Sequence, residues 1–243
     1  PNRTDAFSHY GVARDLAAAL RNMEGIEKHS FTLSKPELIS IHENQKSPVA
    51  VEVLDSEATP RYAGVTITGV KVGPSPKWMQ ERLATIGLRP INNIVDITNF
   101  IQHETGQPLH AFDANEIKDG KVIVKNLPEG TKFVTLDEKE RSLGKDDLMI
   151  CDNGGGICIA GVFGGLDSGV SETTSAIFLE SAYFTPAGIL ATSRKMGIRT
   201  EASQRFEKGV DPEGVMRGLT RAAKLIADCA GGTINPGCID NNP

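Results

Sequence analysis

The sequence predicts an α+β fold with mixed or antiparallel sheets and flanking helices, on three observations. Short β-branched runs such as Val51-Glu52-Val53-Leu54, Val122-Ile123-Val124 and Ile177-Phe178-Leu179 read as strands. Longer segments with apolar residues at helical spacing, closed by Gly197 or by Gly231-Gly232, read as helices. The two kinds are interspersed without the regular strand–helix alternation of a doubly wound sheet.

Taken in order, residues 4–22 read as a helix capped by Thr4 or Asp5, with Val12, Leu16 and Leu20 on one face. So narrow an apolar stripe needs something to lie on. Residues 23–50 contain Lys35-Pro36 and Ser47-Pro48 and read as a polar linker. Tyr62 to Val72 reads as a strand. Ser75 then serves as N-cap, Pro76 as first helical residue and Gly87 as terminator of a short helix carrying Trp78, Leu83 and Ile86. Phe133 to Leu136 is a further strand. Leu148 to Cys151 and Ile157 to Phe163 flank Asp152-Asn153-Gly154-Gly155-Gly156, a hairpin turn. Thr185 and Pro186 open a helix that ends at Gly197. Asp211 and Pro212 open another, with Val215, Leu219, Ala222, Ala223 and Ile226 on its apolar side.

A chain of 243 residues allows one large domain or two small ones, and aromatics at 5% require a mostly aliphatic core. No apolar run reaches the ~18 residues of a membrane span, and no secretory signal opens the chain. Net charge −5 excludes a globally basic nucleic-acid binder and leaves room for a local basic face. The chain opens Pro1-Asn2-Arg3 and reads as a segment of something longer. Cys151, Cys158, Cys229 and Cys238 lack the close pairs of a structural zinc site and read as reduced thiols of a cytoplasmic protein, with no metal. The nucleophile elbow, P-loop, dinucleotide fingerprint and zinc-protease motif are all absent, so ATP chemistry is not expected within these residues.

Four stretches are unusually dense in polar or glycine residues. They are Arg89-Pro-Ile-Asn-Asn-Ile-Val-Asp-Ile-Thr-Asn99, Gly106-Gln-Pro-Leu-His-Ala-Phe-Asp113, Ala160-Gly-Val-Phe-Gly-Gly165 and Thr200-Glu-Ala-Ser-Gln-Arg-Phe-Glu-Lys-Gly-Val-Asp-Pro212. Each has a plain structural alternative. The Asn92–Asn99 group reads as caps and turns, the glycines as a bulge or close strand packing, and His110 as a structural histidine in a turn. Glu180 stands inside an apolar strand, where a carboxylate requires a partner, a function or an exposed face. Arg194, Lys195, Arg199, Arg205 and Lys208 concentrate positive charge near the fourth stretch, as either a phosphate-contacting patch or a solvated helix face.

These stretches, with Val72-Gly-Pro-Ser-Pro76 as a fifth, resemble the signature segments of the bacterial phenylalanyl-tRNA synthetase β-subunit family. Residues 51–232 are similar to its B3/B4 editing module, and residues 1–50 to a helix and linker of the B1 module before it. Residues 233–243 are then expected to be a linker to a further domain. The resemblance implies hydrolysis of mischarged tyrosyl-tRNA(Phe). It implies Glu180 as reader of the tyrosine para-hydroxyl, Gly161 and Gly164 as the pocket wall, and Thr200 and Ala202 as its floor. Arg89 and His110 would then line the site near the ester, positioning water. It also implies a heterotetramer of two α and two β subunits that binds the 3′ end of tRNA(Phe) in the cytoplasm. No cofactor is expected in this segment, with ATP and magnesium used by the whole enzyme. Phe163, Phe100 and Cys158 stand where Met, Tyr, and Ala or Leu are usual in the family. The alternative is a non-catalytic module that positions the tRNA end or the α subunit.

Overall fold

The structure is a computed structural model that describes residues 3–23, 33–41, 46–166 and 168–242. Among the described residues, helices α1 (His9–Arg21), α2 (Lys77–Thr85), α3 (Asn93–Thr105), α4 (Pro186–Met196), α5 (Glu201–Phe206) and α6 (Gly214–Ala230) accompany eleven strands. These are β1 (Ala50–Val53), β2 (Arg61–Thr68), β3 (Leu109–Asp113), β4 (Lys121–Asn126), β5 (Lys132–Val134), β6 (Glu140–Ser142), β7 (Leu148–Asp152), β8 (Gly155–Ile159), β9 (Phe163–Gly164), β10 (Ala176–Tyr183) and β11 (Thr233–Asn241). The fold is α+β with mixed and antiparallel sheets, as the sequence predicts.

The strands form a five-stranded sheet, β1-β4-β7-β8-β9, a four-stranded sheet, β11-β2-β10-β3, and the small pair β5-β6. The β1–β4 pairing is parallel, so the first sheet is mixed, while the second is wholly antiparallel. Alternation along the four-stranded sheet divides the core. Ala63, Val65, Ile67, Ala111, Ile177 and Leu179 pack with Ile94, Ile97, Ile101, Val215, Leu219 and Ile226 of α3 and α6. Tyr62, Phe112, Phe178 and Ala182 point the other way, into a core shared with Val122, Val124, Ile150 and Ile159 of the five-stranded sheet. A polar side chain on that second face lies between two sheets.

Gly64 shows how tightly that face is filled. A Cβ there would come 2.1 Å from Cζ of Phe178, whose ring covers the glycine. Gly64→Ala is expected to cost about 1–3 kcal/mol, because the ring must leave its place in a close-packed layer. Gly188→Ala in α4, where a Cβ meets nothing within 4 Å, is the matched control and should be neutral or slightly stabilising. Equal urea midpoints for the two variants would sink the packing account.

Several elements depart from the sequence reading. Ser8, rather than Thr4 or Asp5, caps α1, its Oγ accepting from Gly11 N–H at 3.0 Å. The Val12 and Leu16 stripe of that helix is exposed. Part of the expected linker, residues 24–32 and 42–45, lies outside the described residues. Ser75 does not cap α2, since its hydroxyl donates to the buried Asp96 carboxylate at 2.5 Å. The Asn92–Asn99 stretch is mostly helix α3. Asn92 is its N-cap, accepting from Ile94 and Val95 N–H, and Asn93 ties it to Lys71 and Gly73 after β2. Residues 233–241, expected to belong to a linker, form β11 along β2 instead. Burial of Cys238 and an ion pair from Asp240 to Arg61 fasten it there.

No helix of the described residues is long and apolar enough to cross a membrane.

Candidate functional site

The motif Gly106-Gln107-Pro108-Leu109-His110 sets the site. Gly106, at φ +87, ends α3 in the left-handed conformation that glycine adopts without strain. Gln107 Nε2 then donates to the carbonyls of Pro108 and Ala182, which locks the start of β3 onto β10. His110 is therefore in a strand rather than a turn, directly opposite Glu180, which is opposite Gly64 on its other side.

Glu180 shares the inter-sheet face with Tyr62, Phe112 and Phe178. It is 6% exposed, and its Oε2 accepts from Tyr62 Oη at 2.6 Å, with Tyr62 wholly buried. Its other oxygen, Oε1, accepts no hydrogen bond from the described residues. Burial raises the Glu180 carboxyl to about 7 against the opposing effect of the Tyr62 hydrogen bond. The Cys158 thiol of β8 faces the same carboxylate, and burial together with that negative charge holds it well above the usual thiol range. Cys158 is thus a neutral wall residue, unfit as a nucleophile.

His110 stacks edge-on against Phe112, ring centroids 4.4 Å apart, and its Nε2 is buried without a hydrogen-bond partner. Burial lowers its imidazole to about 4, so it is neutral at pH 7. Gly164 stands over it: a Cβ on Gly164 would meet only His110 Cε1, at 3.5 Å. Glu180, His110, Gly164, Tyr62 and Cys158 thus form one cluster, three strands of one sheet facing two of the other.

Gly161 and Thr200 support this wall from behind. Gly161 turns the chain between β8 and β9 at φ +65, and a Cβ there would strike Phe184, Phe206 and Ile189 at 2.9–3.0 Å. Thr200 caps α5 and donates through Oγ1 to Val162 O at 3.0 Å, joining floor and wall. Ala202, on α5, packs against the inter-sheet core.

Arg89 and the five basic residues of the expected patch are not in this cluster. Arg89 is exposed in the α2–α3 loop, where its neighbour Leu88 packs on the helix side of the sheet. Arg205 is only 3% exposed: it pairs with Glu201, contacts His103 Nδ1 at 3.4 Å and lies 4.4 Å over the Phe7 ring. Lys208 approaches the same ring at 4.7 Å. Both cations thus contact the N-terminal segment at Phe7; Arg205 is buried and paired with Glu201, while Lys208 is exposed and has no ion-pair partner among the described residues. Lys195 is half exposed and pairs with the buried Asp147 at 2.7 Å. Arg194 and Arg199 are exposed, without ion-pair partners among the described residues. Tyr62 is the site residue that sequence reasoning missed. Its one signal was a phenol as the single aromatic residue of its strand, and only the folded structure brings it to Glu180.

The opposed shifts predict a pH signature. From about 4.5 to 7 the folded state keeps a Glu180 proton that the unfolded chain has released, so this group's contribution to stability falls as pH rises. From about 6.5 down to 4 the unfolded chain protonates His110 while the fold does not, so that contribution falls as pH drops. Between pH 5 and 6.5 the two slopes cancel in the native chain. Glu180→Gln is expected to lose about 2 kcal/mol on acidification across that range, and His110→Asn to gain about as much. Urea titrations at the two pH values check this, and parallel behaviour of the two variants would refute it.

No group of three or more His, Cys, Asp or Glu side chains among the described residues is placed to hold a metal ion. No disulfide joins Cys151, Cys158, Cys229 or Cys238 among the described residues.

The family described as B3/4 domain matches residues 58–231. The phenylalanine–tRNA ligase beta subunit of Bacteroides fragilis is 55% identical over 235 residues, covering 97% of this chain. That of Porphyromonas gingivalis is 54% identical over 233 residues, covering 96%. The chain spans 28% of the length of each. An N-terminal fragment of the phenylalanyl-tRNA synthetase beta subunit from Pyrococcus horikoshii, solved by crystallography, aligns with 99% of this chain and 64% of its own. At 17% identity and a TM-score of 0.53, that match supports the fold alone.

Proposed function

The chain belongs to the B3/4 domain family, and from that premise we propose that it serves a phenylalanine–tRNA ligase β subunit by hydrolysing tyrosyl-tRNA(Phe). The observation that carries this reading is the buried Glu180, opposite His110 in the sheet, with one oxygen held by Tyr62 and the other accepting no hydrogen bond from the described residues. Tyrosine and phenylalanine differ by one hydroxyl. A desolvated carboxylate oxygen rewards that hydroxyl and is left unpaired by phenylalanine, an arrangement that discriminates strongly.

Gly164 leaves room for the aminoacyl moiety beside His110, while Gly161, Thr200 and Ala202 fix the wall and floor. An aminoacyl ester is already activated, so a positioned water suffices without a side-chain nucleophile. The neutral His110, its Nε2 unpaired, orients that water by hydrogen bonding. Arg194 and Arg199 remain as phosphate contacts for a tRNA 3′ end, consistent with an acidic chain that binds only locally. In the whole enzyme, two α and two β subunits would assemble in the cytoplasm, with ATP and magnesium used outside these residues. A non-catalytic module that positions the tRNA end or the α subunit is the second reading, favoured by the exposure of Arg89 in the α2–α3 loop.

Deacylation of tyrosyl-tRNA(Phe) by the chain and by the assembled α/β enzyme tests the proposal. Release of tyrosine faster than of phenylalanine supports editing. Bound tRNA without deacylation in the assembled enzyme supports the second reading.

A further inference from the structure

Glu180 is already half engaged inside the protein. Tyr62 is opposite Ala182 on the neighbouring strand, and its ring crosses diagonally to bring Oη to Glu180 Oε2 at 2.6 Å. We propose that Tyr62 is a specificity-determining positioning residue: it claims one oxygen of Glu180, fixes the carboxylate rotamer, and leaves one oxygen to read a single phenolic hydroxyl. This inference rests on the editing reading and deepens it.

The geometry gives Tyr62 two effects. A glutamate has rotamers to lose, and a buried phenol holds it in one of them before substrate arrives. The phenolic hydrogen bond also favours the ionised carboxylate, the stronger acceptor of a substrate hydroxyl. The titratable groups facing Glu180 are Tyr62 from β2, His110 from β3 and Cys158 from β8. His110 and Cys158 are both neutral at pH 7, so neither supplies a compensating positive charge. Tyr62 is the group among them that stabilises the anion.

The test compares Tyr62→Phe, Glu180→Gln and the double variant in the assembled α/β enzyme, on tyrosyl- and phenylalanyl-tRNA(Phe) across pH. Tyr62→Phe is expected to lower the tyrosyl-over-phenylalanyl ratio roughly tenfold or more. It should also move the pH at which that preference develops to the alkaline side, since the anion has lost its donor. The double variant should discriminate no worse than Glu180→Gln alone, because Tyr62 acts through Glu180. A wild-type ratio and pH midpoint in Tyr62→Phe, with the preference lost in Glu180→Gln, overturn the proposal and leave the editing reading standing. An unchanged preference in Glu180→Gln overturns both. Equal loss on the two esters in Tyr62→Phe assigns Tyr62 to fold support alone, and the proposal falls.

Discussion

Glu180→Ala is expected to abolish the preference for tyrosyl over phenylalanyl esters, a loss that reaches ~10⁴ at the favourable limit for a buried group that pairs with one substrate hydroxyl. The size follows from burial. Glu180 is between two sheets, one oxygen taken by Tyr62, so a phenylalanine ring arriving in the site would leave Oε1 with neither water nor a donor. Removing the carboxylate removes that penalty, so phenylalanyl ester should be hydrolysed no more slowly than before while tyrosyl ester loses its anchor. Ala also leaves the Tyr62 hydroxyl unpaired and opens a cavity. Glu180→Gln keeps the volume and an acceptor for Tyr62, and should show the same direction with less damage to the fold. The ratio of kcat/KM on the two esters is the measurement. A ratio equal to wild type in both variants would falsify hydroxyl reading by Glu180.

Asp240→Ala is expected to destabilise the fold by about 3 kcal/mol, a large effect from a position near the chain's end. Asp240 receives Arg61 through Nε at 2.9 Å and Nη2 at 2.6 Å, a two-pronged pair with both side chains buried. Arg61 keeps the Pro212 carbonyl and the exposed Glu213, which holds the cost at the low end for a broken buried pair. Arg61 precedes Tyr62 on β2, so the pair also fixes the end of the strand that presents the phenol. Asp240→Asn retains one hydrogen bond and should fall between wild type and Ala in urea. If both variants unfolded with the native midpoint, β11 would be an ornament rather than part of the sheet.

The legible parts of this molecule were those where a single residue acts locally. Pro186 and Gly197 bracket α4 as their backbone preferences require, and Glu180 stood out because a carboxylate in an apolar strand is costly. Helix α3 was hidden by Asn93, Asp96, Thr98 and Asn99, poor helix formers whose place is secured by Ile94, Ile97 and Ile101 in the core and by the Asp96 bonds to Ser75 and Ile91. Strand β11 lay in residues expected to be a linker, and its pairing with β2 is interrupted between Ile234 and Cys238 and then resumes. Arg205 looked like a phosphate ligand because sequence shows charge and not burial. The Tyr62–Glu180 contact joins positions 118 apart and depends on strand register, which no spacing rule along the chain contains.

The interruption in β11 has a consequence for how such a chain can change length. Between Ile234 and Cys238 the pairing with β2 shifts, so an added or deleted residue there alters a stretch already out of step with its neighbour. Strand β10 has no such slack: it pairs continuously with β2 from Ala176 to Tyr183. One residue inserted between Phe178 and Leu179 would turn the carboxylate toward the helices and a leucine toward the five-stranded sheet. Insertions and deletions are therefore expected to be tolerated at residues 235–237 and lethal to the site in β10, as though the middle strand kept a reading frame and the edge strand carried its punctuation.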